Sequence, residues 1–218
     1  MKKLILISII FLSLSCSNDS NIERTVKNDI TLENKEFSDT NNLSEDINFI
    51  ELVNEMESFK LYIQETIKNK NLDINNVQIE LNSLNNLNLD YKTQTEKINL
   101  IFKTDVSEKY LKHIEIFNKN WKHINNKFPK LDIKDLENAY SITLGKVDVG
   151  ISSGSGSDCG WRYSACIVTA GAAAVICHAG CDTTALATTA GLGIPACVWA
   201  CGTIQVYASI QCHDTYCK

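Results

Sequence analysis

Proline and arginine are nearly absent from this 218-residue chain: it has two prolines, Pro129 and Pro195, and two arginines, Arg24 and Arg162. Few helix breakers leave long helices unobstructed. Sparse arginine and a formal net charge of −5 argue against nucleic acid as a partner. Cysteine is missing from Ser17 to Asp158, although the chain contains nine. One is Cys16, and the other eight lie between Cys159 and Cys217. Charge is scarce in that same segment, where only Arg162, Asp182, Asp214 and Lys218 are charged.

The N-terminus sets the compartment. Met1-Lys2-Lys3 is a short basic region, and Leu4–Leu14 is an apolar run too short to span a bilayer. Ser13-Leu14-Ser15-Cys16 and the polar Ser17-Asn18-Asp19-Ser20 resemble a bacterial lipoprotein signal of the Bacteroidetes type. The resemblance implies a signal peptide over 1–15, cleavage before Cys16, and lipidation of Cys16 with fatty acids such as palmitate. It also implies an anchor in the bacterial outer membrane or at the cell surface. An oxidising compartment then suits disulfides among the remaining eight cysteines.

Residues 16–43 are polar and weakly patterned, a flexible tether. Residues 44–146 carry helical periodicity. Ser44 is a cap candidate for a helix bearing Phe49, Leu52, Val53, Met56, Phe59, Ile63 and Ile67. Ile74, Val77, Leu81 and Leu84 mark a second helix, and Tyr91, Ile98 and Ile101 a third. Asp105-Val106-Ser107-Glu108 fits a capping box ahead of Tyr110, Ile114, Phe117, Trp121 and Ile124. Pro129 ends that helix, and Asp132 caps a last one that Gly145 closes. His113, His123 and Trp121 read as members of the apolar stripes or solvated faces. No nucleophile–base pair, phosphate loop or metal spacing is visible here, so no enzyme activity or cofactor is expected. Residues 147–158 form a Gly/Ser linker that a protease could cut.

Residues 159–218 hold Cys159, Cys166, Cys177, Cys181, Cys197, Cys201, Cys212 and Cys217, spaced 7, 11, 4, 16, 4, 11 and 5. That series is nearly a palindrome. Two antiparallel helices joined by one loop place mirror-related positions at equal heights. At about 100° per residue, each helix gathers its cysteines within about 60°. The expected bridges are nested: Cys181–Cys197, Cys177–Cys201, Cys166–Cys212 and Cys159–Cys217. Eight cysteines allow other connectivities. A zinc site from Cys177, Cys181, Cys197 and Cys201 is the rival reading, with His178 and His213 nearby, but it strands the outer four cysteines. Thr183–Gly193 reads as the connecting loop, and Pro195 suits the first turn of the second helix. The expected fold is all-α: an N-terminal helical bundle or stalk, then a small disulfide-stapled antiparallel hairpin.

The two Cys-x3-Cys pairs resemble the twin motif of mitochondrial small translocase chaperones and plant α-hairpinins, in geometry alone. Val175-Ile176-Cys177-His178-Ala179-Gly180-Cys181 and Gly191-Leu192-Gly193-Ile194-Pro195, in an Ala/Gly-rich and nearly uncharged segment, are similar to halocin-type bacteriocins. That resemblance implies a C-terminal toxin in a longer precursor whose N-terminal part protects the producer. The expected partners are the membrane holding the Cys16 lipid and a target-cell membrane or envelope receptor. The competing reading is a non-enzymatic surface binding or structural module.

Overall fold

The computed structural model describes residues 42–87, 89–146, 159–185 and 194–217. The segments expected as signal peptide and linker, Cys16, most of the expected tether, and residues 186–193 lie outside them. The described residues are all-α, with seven long helices: α1 (Ile47–Asn69), α2 (Ile74–Asn85), α3 (Tyr91–Phe102), α4 (Ser107–Lys127), α5 (Ile133–Leu144), α6 (Trp161–Ala185) and α7 (Pro195–Tyr216).

Local chemistry sets the helix ends. Asp46, not Ser44, caps α1, accepting from the amides of Asn48 (2.9 Å) and Phe49 (3.4 Å). Ser44 sits in a short helical turn just before it and is buried. Asp73 and Asp90 cap α2 and α3. At α4 the expected box does not form: Val106 takes the cap position and no side chain caps from it. Asp105 accepts from the Ser107 amide (2.9 Å), while Asn99 of α3 accepts from the Val106 amide (3.0 Å). A reciprocal box does form at α5, between Asp132 and Asp135. Pro195 occupies the first turn of α7. Helix α6 runs on through Thr183–Ala185, so the loop is shorter than its sequence suggests.

Helices α6 and α7 form the antiparallel hairpin, and it lies against the bundle. One core joins Phe59 and Ile63 of α1, Val77 and Leu81 of α2, and Ile98 and Phe102 of α3 to Trp199 and Val206 of α7. A second joins Phe49, Leu52 and Met56 of α1, Phe117 of α4 and Tyr140 of α5 to Val168, Ala172 and Val175 of α6. All described residues therefore belong to one unit, Lys35–Lys218. Over its first turns α7 has no polar face because neighbours surround it, with α6 on one flank and α1, α2 and α3 on the others, while Gln211, His213, Asp214 and Thr215 near its end are exposed. Trp199 is fully buried, whereas Trp161 at the hairpin's open end is 77% exposed.

Candidate functional site

Four disulfides close the hairpin: Cys159–Cys217, Cys166–Cys212, Cys177–Cys201 and Cys181–Cys197, with Cα–Cα distances of 4.4, 5.8, 5.7 and 5.7 Å. They are nested and climb the helix pair. The outermost also ties the two ends through an antiparallel bridge between Cys159 and Cys217. The two inner bridges touch, with the Cys181 and Cys201 sulfurs 3.5 Å apart. Cys181, Cys197 and Cys201 thus gather within 4.8 Å, among the described residues the one group of three or more potential metal ligands. Their thiols are consumed in disulfides, so the zinc reading has no thiolates here to use.

The interface between hairpin and bundle holds the unusual chemistry. Two glycines on the hairpin make room for bundle side chains. A Cβ at Gly171 of α6 would fall on the Tyr140 ring, and one at Gly202 of α7 would meet Ile63 and Phe59. Beside these contacts lies a buried carboxylate. Glu57 of α1 is fully buried and pairs with Lys60, while its Oε1 accepts from the Tyr140 hydroxyl (2.7 Å) and from Gln205 of α7 (3.3 Å). Donors from α1, α5 and the hairpin thus converge on one charge. Burial, and then the Glu57 charge, push the Tyr140 hydroxyl well above its ordinary range.

Phe59 is the hub of a second cluster. Its ring stacks on His113 of α4 at 3.8 Å, meets Trp199 at 4.8 Å and stands edge-on to His178 of α6 at 6.1 Å. The two imidazoles are 5.2 Å apart and T-shaped. His178 Nδ1 donates to the Ala174 carbonyl (2.7 Å). His113 Nδ1 donates to Glu55 Oε1 (3.0 Å), which also takes Lys109 (3.3 Å). Burial raises the Glu55 carboxyl, but the His113 hydrogen bond and the Lys109 charge outweigh it and hold it below its usual value. An ionised carboxylate and a carbonyl only accept, so each Nδ1 carries the ring proton. Each Nε2 is then a bare acceptor, and both are buried without a partner. The Trp199 indole N–H is likewise buried and unpartnered.

Sequence reading places His113 on an apolar stripe or a solvated face and names His178 beside the rival zinc site; both are fully buried, one from each side of the interface. His123 and His213 stay on the surface, with 47% and 63% of their side chains exposed. The visible hint is positional: His113 falls on the stripe between Tyr110 and Phe117, and His178 follows Ala174 and Val175. Compared with family models, with curated proteins and with solved structures, the chain matches none of them.

Proposed function

We propose that this protein is an exported, lipid-anchored and non-enzymatic lipoprotein whose C-terminal hairpin is a bacteriocin-like effector, kept covered by its own helical bundle. One observation carries the reading: all four disulfides close within residues 159–217, in a nearly uncharged segment whose cover on the bundle is non-covalent. Such a segment can leave the bundle after one cut in the linker without any disulfide breaking. Uncovered, it presents two apolar helices, of which Trp161–Cys181 is long and apolar enough to cross a bilayer. Target-cell membrane or envelope is then the expected site of action. The Cys16 lipid holds the precursor at the producer's outer membrane or surface.

The test inserts a protease site between Gly150 and Ser157 and follows dye release from phosphatidylglycerol-containing vesicles. Leakage after cutting, and none before, supports the effector. Vesicles that stay sealed against the cut, oxidised protein at pH 5.0 as well as at pH 7.5 overturn it.

The shared cores favour a second reading, a rigid surface module in which bundle and hairpin act as one body. Under that reading cutting the linker changes neither vesicle integrity nor target-cell survival, and the partner binds the intact chain.

A further inference from the structure

Docking brings one imidazole from each side into the same aromatic enclosure. His178 comes from the hairpin and His113 from the bundle, with Phe59 and Phe117 around both. We propose that this pair is an acid-sensitive latch: neutral imidazoles let the hairpin seat on the bundle, and protonation at mildly acidic pH loosens it.

The geometry dictates the direction. A second proton must enter at Nε2, which in both rings is buried without an acceptor. The buried charged and titratable groups on the surrounding elements are Glu55, Glu57 and Lys60 of α1, Tyr110 of α4 and Tyr140 of α5, with Lys109 of α4 half-buried beside Glu55. The buried face of α7 carries none, and α2 and α3 place their charges at exposed positions. Glu57 is already satisfied by Lys60, Tyr140 and Gln205. Glu55 is engaged by His113 and Lys109, which leaves His178 with no carboxylate among the described side chains. Burial, and then the nearby His113, hold its imidazole down at about 3, against a backbone bond to Ala174 that favours the charge. Burial also lowers His113, with Glu55 opposing.

Both shifts have the same sign. A lowered imidazole pKa means the undocked form binds protons first. The docked form is therefore fully favoured above about pH 6.5 and loses ground as pH falls toward 3. For His178 alone, the docking constant should fall roughly 30-fold between pH 7.5 and pH 5.0. The lowered carboxylates Glu55 and Asp46 act in the same sense but only below their ordinary values near 4.5 and 3.8. The window from pH 6.5 to 5 therefore belongs to the histidines. The latch deepens the covered-effector reading for its biological use, but its physics needs only the docked interface.

Amide hydrogen exchange of the full oxidised chain, corrected for intrinsic rates, reads docking directly. From pH 7.5 to 5.0 the amides around Trp199 should exchange roughly 30-fold faster in the wild type. In His178→Phe or His178→Gln the change should shrink to a few-fold, left by His113. Histidine ring titration by NMR needs no variant: His178 should not titrate near pH 6.5 while α7 remains protected. Equal acceleration in the wild type and both variants overturns the latch, as does a His178 ring titrating near 6.5 in the docked protein. Vesicle leakage reports separately: sealed vesicles with an intact pH response sink the effector and leave the latch standing.

Discussion

Tyr140 joins bundle and hairpin twice: its hydroxyl donates to the buried Glu57 at 2.7 Å, and its ring occupies the space that Gly171 leaves on α6. The carboxylate pins the ring, and the pinned ring fills the hairpin's notch. Tyr140→Phe keeps the packing and removes one charge-assisted hydrogen bond. It should cost about 1.5–3 kcal/mol, read as a lower urea midpoint with an unchanged slope.

The two interface glycines should respond differently to alanine. A methyl at Gly202 meets the end of the flexible Ile63 side chain and the edge of the buried Phe59 ring, whereas one at Gly171 falls wholly on the fixed Tyr140 ring. Helix propensity favours alanine over glycine by about 1 kcal/mol at either site. Gly171→Ala should therefore be destabilising by about 1–3 kcal/mol, and Gly202→Ala, which must displace both Ile63 and the Phe59 edge, destabilising by less. Thermal unfolding of the two variants side by side checks this.

The helix stripes were readable because periodicity is a local property. Phe49, Leu52, Met56, Phe59 and Ile63 all point into the core, as their spacing requires. The nested cysteines were readable for the same reason, since equal heights on antiparallel helices follow from chain direction. What covers the hairpin was not readable. A helix with a single charge, such as α7 with Asp214 at its end, suits a protein core and a membrane equally, and its bare sequence does not name the neighbour. The fate of His178 hangs on α1 and α4, more than 50 residues away in the chain, and no local signal carries it. Ser44 and Asp46 show the limit at finer scale: both are good caps, and burial of Leu43 and Ser44 leaves Asp46 to do the capping.

The bridges should not contribute equally. Cys166–Cys212 and Cys181–Cys197 enclose separations of 46 and 16 residues. Removed singly as Cys→Ser pairs, each should cost about 2–4 kcal/mol, and the advantage that the longer loop would have if formed alone shrinks because the remaining bridges shorten what it closes. Cys177–Cys201 should exceed both, because Cys201 is buried beside Cys181 in the core that holds Trp199. Losses for double removals should not add. Thermal midpoints of the paired variants test the order.

Asp46 caps α1 and also pairs with Lys127 at 2.6 Å across the bundle. Burial opposes its charge, but the Lys127 and Asn48 hydrogen bonds overcome this and bring it to about 2. Its contribution is present above pH 3.8 and lost as pH falls toward 2. Asp46→Ala should cost about 0.5–2 kcal/mol at pH 7 and weaken the final acid transition.

Lipidation is a separate matter. Cys16→Ala should abolish labelling with radioactive palmitate and release the protein from membranes. Undiminished labelling would remove the anchor from the account.

The central claim is a covalently closed hairpin held on its bundle by packing and hydrogen bonds, with no disulfide between the two. The direct measurement is native size-exclusion chromatography of the oxidised protein after cutting an inserted linker site at pH 7.5. The account predicts that the two fragments co-elute as one particle of the original size and separate in denaturant without reductant. Separation into two particles in native buffer at pH 7.5 would contradict it.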